Sequence, residues 1–333
     1  MCGIAGFVND MPIDVKCPVL QRMTDMIAHR GPDSEGHYID EHAALGHRRL
    51  SIIDLGGGQQ PIYNEDGSKV ITFNGEIYNY QTLREELIAA GHTFTTKSDT
   101  EVLLHGYEQW GVDLLQRVRG MFTFVIWDKN KQELFGARDH FGIKPFYYAK
   151  MNGTFMYASE IKSLLRHPDF VKELNAEALK PYMTFQYPAI GETFFKGVYK
   201  LPEGHYFTYR DGKMDIHRYY DEDFREGKQK LGELVNSIDQ TVCDSVKAHQ
   251  IADVEVGSFL SSGVDSSYVA AVARPQHTYS IGFGKGTYNE SQQAGELGEL
   301  LKLNNTAESL TDEEAFAGFS PITCYHHDGS AYR

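Results

Sequence analysis

No stretch of the chain approaches the ~20 consecutive apolar residues of a membrane-spanning helix. The N-terminus also lacks the basic flank and apolar segment of a secretory signal. A cytoplasmic protein with no membrane partner is the expectation. Cysteine is scarce: the four, at positions 2, 17, 243 and 324, are too few and too scattered for a disulfide framework, and no CxxC pair suggests zinc. Reduced thiols fit a reducing compartment. Positive charge is short as well. Thirty-two Lys and Arg against 46 Asp and Glu leave a formal charge of −14, which repels phosphate backbones and anionic membranes and argues against nucleic acid as a partner. Internal repeats and low-complexity tracts are missing too. What remains is an ordinary globular composition, 41% hydrophobic over 333 residues, long enough for two domains.

Up to about residue 215 the chain is a succession of short apolar or alternating stretches, among them "CGIAGFV", "KVITFNGEIY", "MFTFVIWD" and "TFMYAS". They are separated by Asn-, Asp-, Lys- and Gly-rich turns such as "NEDGSK" and "KMNGT", which predicts hairpins and antiparallel sheet. Two amphipathic helices interrupt them. In "NYQTLREELIAAGH", Asn79 can cap, Leu83, Leu87 and Ile88 form an apolar stripe, and Gly91 stops the helix. In "SDTEVLLHGYEQWG", Ser98 or Asp99 can cap, Val102, Leu103, Tyr107 and Trp110 recur at helical spacing, and Gly111 ends the run. Residues 216–230 are charged and poor in apolar side chains, which marks a linker between a domain over 2–215 and another over 231–333. Beyond the linker come a helical segment, the buried-strand pattern "VEVGSFL", the loop "SSGVDSS", a helix and the strand "HTYSIGF", together a βαβ unit of a parallel sheet.

Two places invite chemistry. Aminopeptidases remove Met1 when the next residue is small, which would leave Cys2 with thiol and α-amine on one Cα. In N-terminal nucleophile enzymes such an amine, of ordinary pKa near 8, serves as base for its own side chain. The bland alternative is that Cys2 is a small hydrophobe opening a strand. The second place is "SSGVDSS". A Ser, Gly and Asp loop between a buried strand and a helix N-terminus offers N–H groups, hydroxyls and a positive dipole end to a phosphate, and Gly263 lets the backbone come close. It is no Walker A loop, since no Lys stands in the required place. The terminal His326, His327 and Asp328 read as solvated rather than metal-binding, and no metal ligand set is assigned.

Taken in order, "MCGIAGF", "HRGPDSEGH", "RRLSIID", "GGGQQPIYN", "FNGEIYNY", "KSDTEV", "RVRGMFTFVIWD", "ARDHFGIKPFYY", "ASEIKSLL" and "LPEGHY" resemble the class II glutamine amidotransferase domain of glutamine-hydrolysing asparagine synthetases. "VGSFLSSGVDSSYVAA" followed by "TYSIGF" resembles the pyrophosphate loop of the ATP-dependent domain of the same family. The resemblance implies an α/β fold: a four-layer α/β/β/α N-terminal nucleophile hydrolase sandwich, then the start of a parallel α/β domain of the ATP-pyrophosphatase type. It implies that Cys2 attacks the side-chain amide of glutamine, and that Asn74 and the Gly75 N–H form the oxyanion hole. Arg49 would hold the glutamine α-carboxylate, Glu76 and Asp99 its ammonium, and Leu50, Ser51, Ile52 and Ile53 would line the pocket.

For the second domain the resemblance implies that Leu260, Ser261, Ser262, Gly263, Val264, Asp265 and Ser266 cradle ATP pyrophosphate, with Ile281 near the adenine. ATP and magnesium would serve only the synthetase reaction, in which ammonia reaches a β-aspartyl-AMP made from aspartate; glutamine hydrolysis would need no cofactor. The family's commonest loop form is SGG-x-DSS, so Ser262 adds a Cβ. The family also continues beyond the point where this chain stops. A truncated synthetase domain that makes no asparagine, behind a glutaminase that works alone, is therefore expected. Oligomeric state stays open, a homodimer included. Two other readings are a glutaminase serving a different adenylating domain and a non-catalytic binding protein that keeps the fold.

Overall fold

The computed structural model describes residues 1–187, 191–283, 291–314 and 316–317. The chain divides into two compact units, the first over residues 1–223 and the second opening at Phe224.

In the first unit the strands are β1 (Gly3–Val8), β2 (Ser34–Ile39), β3 (Ala43–Arg49), β4 (Ile62–Tyr63), β5 (Lys69–Ile77), β6 (Gly120–Asp128), β7 (Glu133–Arg138), β8 (Tyr147–Met151), β9 (Thr154–Ala158), β10 (Val198–Lys200), β11 (His205–Arg210) and β12 (Lys213–Arg218). The helices are α1 (Ile13–Asp25), α2 (Tyr80–Ala89), α3 (Asp99–Trp110), α4 (Ile161–Leu164) and α5 (Ala176–Phe185). One sheet runs β10-β8-β9-β1-β3-β2 and the other β12-β11-β7-β6-β5-β4, every pairing within them antiparallel.

The two-residue period of β6 shows how the layers assemble. Phe122, Phe124 and Ile126 pack on one face with Leu83 and Leu87 of α2 and Val102 and Leu103 of α3. Val125 and Trp127 face the other way and meet Ile4, Leu45, Phe155 and Tyr157 of the opposite sheet. On the far side, α1 seats Val19, Leu20 and Met23 against Phe7, Ala44 and Met156. The order is helix, sheet, sheet, helix, as the resemblance implied. Each of the buried Val, Leu, Ile, Phe and Met side chains among these is worth ~1.5–3 kcal/mol of apolar burial, so the sandwich has the core to hold a rigid site.

Two details differ from the sequence reading. Asn79 occupies the N-cap position of α2 but does not cap it; its side chain instead donates to Arg117 O at 2.9 Å and accepts from Arg119 N at 2.9 Å, tying the helix start to the approach to β6. Leu83 and Leu87 are buried, whereas Ile88 points to solvent. For α3 the choice falls on Ser98, whose hydroxyl accepts from Thr100 N at 3.2 Å.

The second unit holds α6 (Leu231–His249), β13 (Ser258–Phe259), α7 (Val264–Ala273), β14 (His277–Phe283), α8 (Ser291–Leu301) and β15 (Asn304–Leu310). Its sheet is parallel in the order β13-β14-β15. The predicted βαβ unit is present in outline, but of the expected buried strand "VEVGSFL" only Ser258–Phe259 pairs and Phe259 is exposed; β15 adds a third strand that hydrophobic pattern did not signal. The cluster at His326, His327 and Asp328 lies outside the described residues.

Candidate active site

Strand alternation builds the site. On β5, Ile71, Phe73 and Ile77 face the helices while Val70 faces the opposite sheet, so the side chains of Asn74 and Glu76 point toward the sheet that begins at Cys2. There they line one pocket with Cys2, Arg49, Leu50, Ile52, Ile53, Gly75 and Asp99. Ser51 is not part of the lining; its N–H donates to Asp33 Oδ2 at 2.8 Å and braces the loop from behind.

Cys2 Sγ lies 3.5 Å from Leu50 O and 3.4 Å from Leu50 N, which fixes the sulfur at the end of β3. Arg30 Nε donates to Cys2 O at 2.9 Å, and Arg30 Nη1 is anchored on Glu160 Oε1 at 2.9 Å. Burial pushes the thiol up from its ordinary value, with the Leu50 N–H opposing. Such a thiol needs a base to ionise. Met1 also lines the pocket, its Sδ 3.1 Å from Lys144 Nζ, and burial lowers its amine.

Asn74 is buried, and neither its Nδ2 nor its Oδ1 has a protein partner. A buried amide without partners costs ~1–3 kcal/mol, so its polar atoms are available to a ligand at the expense of the empty fold. The edge of β5 explains Gly75. Phe73 N donates to Gln60 Oε1 at 2.6 Å and Phe73 O accepts from Gln60 Nε2 at 3.2 Å, so the Gln60 amide replaces one residue of a neighbouring strand. Two residues past Gly75, Ile77 N donates to Asp99 Oδ2 at 2.9 Å. Main-chain groups alternate sides along an antiparallel strand, so the Gly75 N–H falls on the same edge, between those two rungs, and faces the pocket. Only glycine fits there: a Cβ would meet Met121 O at 2.2 Å and Phe122 Cα at 2.7 Å.

Arg49 and the acids complete the pocket. The buried Arg49 guanidinium donates from Nη2 to Ile53 O at 3.1 Å and Asp54 O at 2.7 Å, shaping the loop that follows β3. Asp99 is fully enclosed; burial, reinforced by the neighbouring charge of Glu76, pushes its carboxyl up to about 7. Two carboxyls of one sign side by side suit a cation between them. Gln60, Lys144 and Arg30 were present in the quoted motifs but carried no assigned role; only strand pairing brings them to Cys2.

In the second unit, Leu260 to Ser266 join β13 to the first turn of α7. Ser261 Oγ and Ser266 Oγ lie 2.7 Å apart, Gly263 N donates to Ser261 Oγ at 3.2 Å, and Leu260 N is fixed on Tyr279 O at 2.8 Å. The first-turn N–H groups of α7 at Val264, Asp265 and Ser266 have no carbonyl one turn back within the helix, while the Ser266 hydroxyl is turned onto Ser261 Oγ and Gly263 O of its own loop. Ile281 is exposed on β14.

Two antiparallel sheets between helices, with a cysteine at residue 2 lining one pocket with an unpartnered amide and an edge glycine, define the class of N-terminal nucleophile amidotransferases. The glutamine amidotransferase domain model matches residues 1–220 and the asparagine synthase model residues 237–331, and the chain belongs to the glutamine amidotransferase family. It is 42% identical to asparagine synthetase [glutamine-hydrolyzing] 1 of Bacillus subtilis, over 98% of this chain and 53% of that protein. A putative asparagine synthetase of Mycobacterium tuberculosis is 35% identical, over 98% and 54%. A fungal protein of Gibberella zeae named amidase chry2 is 35% identical, over 98% and 53%. The chain thus spans about half the length of the curated relatives it matches. Among solved structures, a Bacillus subtilis glutamine phosphoribosylpyrophosphate amidotransferase superposes with a TM-score of 0.50 at 15% identity, covering 92% of this chain and 65% of that one, a likeness of fold. No helix among the described residues is long and apolar enough to cross a membrane.

Proposed function

We propose that the first domain hydrolyses glutamine to glutamate and ammonia at Cys2, and that the second is part of the ATP-dependent machinery that transfers this ammonia to aspartate, making asparagine. The observation that carries the reading is the buried, unpartnered Asn74 amide beside the Gly75 N–H and Cys2 Sγ in one pocket.

With Met1 removed, the Cys2 amine takes the thiol proton as Sγ attacks the amide carbon of glutamine. Asn74 Nδ2 and Gly75 N–H donate to the oxyanion that forms. The protonated amine passes its proton to the departing nitrogen, ammonia leaves, and water hydrolyses the thioester, returning the thiol and releasing glutamate. Arg49 binds the α-carboxylate, while Glu76 and Asp99 accept from the ammonium. Leu50, Ile52 and Ile53 form the walls, with Ser51 bracing them.

In the second domain, Ser261, Ser262, Gly263 and the first turn of α7 from Val264 to Ser266 would hold ATP phosphates, Leu260 anchoring the loop and Ile281 lying toward the base. ATP, with magnesium, supplies the activation that an aspartate carboxylate needs before ammonia can replace its oxygen. The linker expected over 216–230 is shorter, because residues 216–218 complete β12 by pairing with β11, and the division between the two activities is taken after Asp223.

Amide-labelled glutamine, aspartate, ATP and magnesium test this. The 333-residue chain is expected to release the label as free ammonia; joined to the part of a curated relative that it does not span, it is expected to place the label in the asparagine amide, and label only in free ammonia there would remove the acceptor assignment. A glutamine-mimicking diazoketone should add covalently to the native protein and not to Cys2→Ala. Equal labelling of both would overturn the nucleophile.

A further inference from the structure

Away from the glutamine pocket, four potential ligand side chains from separate segments meet. Glu65 stands in the turn between β4 and β5, His92 follows α2, and His105 and Glu108 lie one turn apart on α3. One donor atom of each lies within 4.8 Å of the other three. We propose that Glu65, His92, His105 and Glu108 form a binding site for one tetrahedrally coordinated divalent transition metal, with zinc the ion their donor set suits.

The spacing fits. Zinc–ligand bonds of about 2.0–2.1 Å give a donor tetrahedron with edges of about 3.3–3.4 Å. His105 Nδ1 lies 3.1 Å from Glu108 Oε2 and 3.4 Å from Glu65 Oε2, while His92 Nδ1 lies 3.3 Å from Glu65 Oε1 and 4.0 Å from Glu108 Oε2. Two imidazoles with two carboxylates favour zinc over the oxygen-seeking magnesium and calcium.

The surroundings are arranged as outer-shell partners are. The far nitrogen of each imidazole faces an oxygen: His105 Nε2 lies 3.5 Å from Glu101 Oε1, and His92 Nε2 lies 3.2 Å from Gln109 Oε1. At His92 this acceptor fixes the tautomer that presents Nδ1 to a metal; His105 Nε2 is buried near Glu101 without a hydrogen bond to it. Glu108 is oriented through its other oxygen, Oε1, by Asn64 Nδ2 at 2.7 Å and Lys69 Nζ at 3.4 Å, leaving Oε2 directed at the histidines. Glu101 is itself held by Thr95 and Thr96, whose N–H groups each donate to it at 2.7 Å. His105 is buried and His92 largely so, so a metal here would be shielded on the α3 side and reached past Glu65.

The test uses the full chain stripped of metal. Competition with a chromogenic zinc chelator should give one equivalent bound. Cobalt in place of zinc should give the intense visible absorption of a tetrahedral site without the sulfur charge-transfer band that ligation by any of the four cysteines would add. His92→Ala should weaken zinc binding at least a hundred-fold and abolish the rise in Tm that zinc gives the native protein. Glu65→Gln, an isostere at an exposed position, supplies the same test should His92→Ala fold poorly. His42→Ala, an exposed histidine elsewhere, should leave binding intact. No stoichiometric binding, a sulfur band on cobalt, or undiminished affinity in both ligand variants would overturn the site.

Discussion

Cys2 and Leu50 hold each other across two strands: the sulfur lies 3.5 Å from the Leu50 carbonyl oxygen and 3.4 Å from its amide nitrogen. The nucleophile is therefore positioned by main chain, while its burial keeps the thiol protonated. In the proposed mechanism ionisation falls to the α-amine. The active species should lack Met1, and intact mass should show it; normal glutaminase activity with Met1 fully retained would contradict the mechanism. Cys2→Ser should lose most turnover, because a hydroxyl is harder still to ionise.

Asn74→Ala separates catalysis from stability. Loss of one oxyanion donor should lower kcat about 10²–10³-fold, with KM for glutamine little changed. Because the amide has no protein partner, its removal should leave Tm unchanged or raised. A stability loss with normal kcat would make Asn74 structural.

Asp99 sets a pH dependence whose sign follows from its enclosure. Its carboxyl, ordinarily near 3.8, is raised to about 7 in the fold. Ionising it therefore costs stability, a penalty absent below the ordinary value, growing between the two and complete above about 7. Asp99→Asn should be more stable than the native protein above that range, and the two should converge as pH falls through it. Ser98 supplies the helix cap, so the substitution costs α3 nothing there. If Asp99 receives the substrate ammonium as proposed, it does so only when ionised, so KM for glutamine should rise as pH falls through about 7 in the native protein, and should be high without that dependence in Asp99→Asn. Denaturant titrations and initial rates across pH check both.

Two glycines should respond oppositely to alanine. At Gly75 the new Cβ meets main-chain atoms at 2.2 and 2.7 Å, which cannot move cheaply, whereas at Gly56 it meets nothing within 4 Å. Gly75→Ala should cost ~1–3 kcal/mol or more and glutaminase activity with it. Gly56→Ala should be neutral or stabilising by ~0.4–1 kcal/mol.

Much of this was legible because it is local. The buried run "MFTFVIWD" reads as strand β6, and Gly111 ends α3 where the helical spacing does. Cys2, Asn74, Gly75 and Asp99 stand in family motifs, and the pocket gathers them. β15 escaped because "NNTAESL" is polar: Asn304 and Asn305 are strand residues through pairing with β14, and Asn305 Oδ1 accepts from Thr278 Oγ1 at 3.0 Å. Gln60 carries no local signal of its role, since imitating a strand depends on where Phe73 comes to lie. The Glu65, His92, His105 and Glu108 cluster was invisible for the same reason; only the His105 and Glu108 spacing is helical, and the other two donors arrive through folding.

The Gln60 rung has one further consequence. An unpaired strand edge ordinarily invites a foreign strand and with it aggregation. Here β4 pairs with β5 only as far as Ile71, Gln60 occupies Phe73, and Asp99 occupies Ile77. The gap left at Gly75 is one residue wide, too narrow for a polypeptide and wide enough for a single oxygen. The sheet thus admits a small acceptor and refuses a chain, so a liability of open sheets becomes a filter for what may complete the ladder.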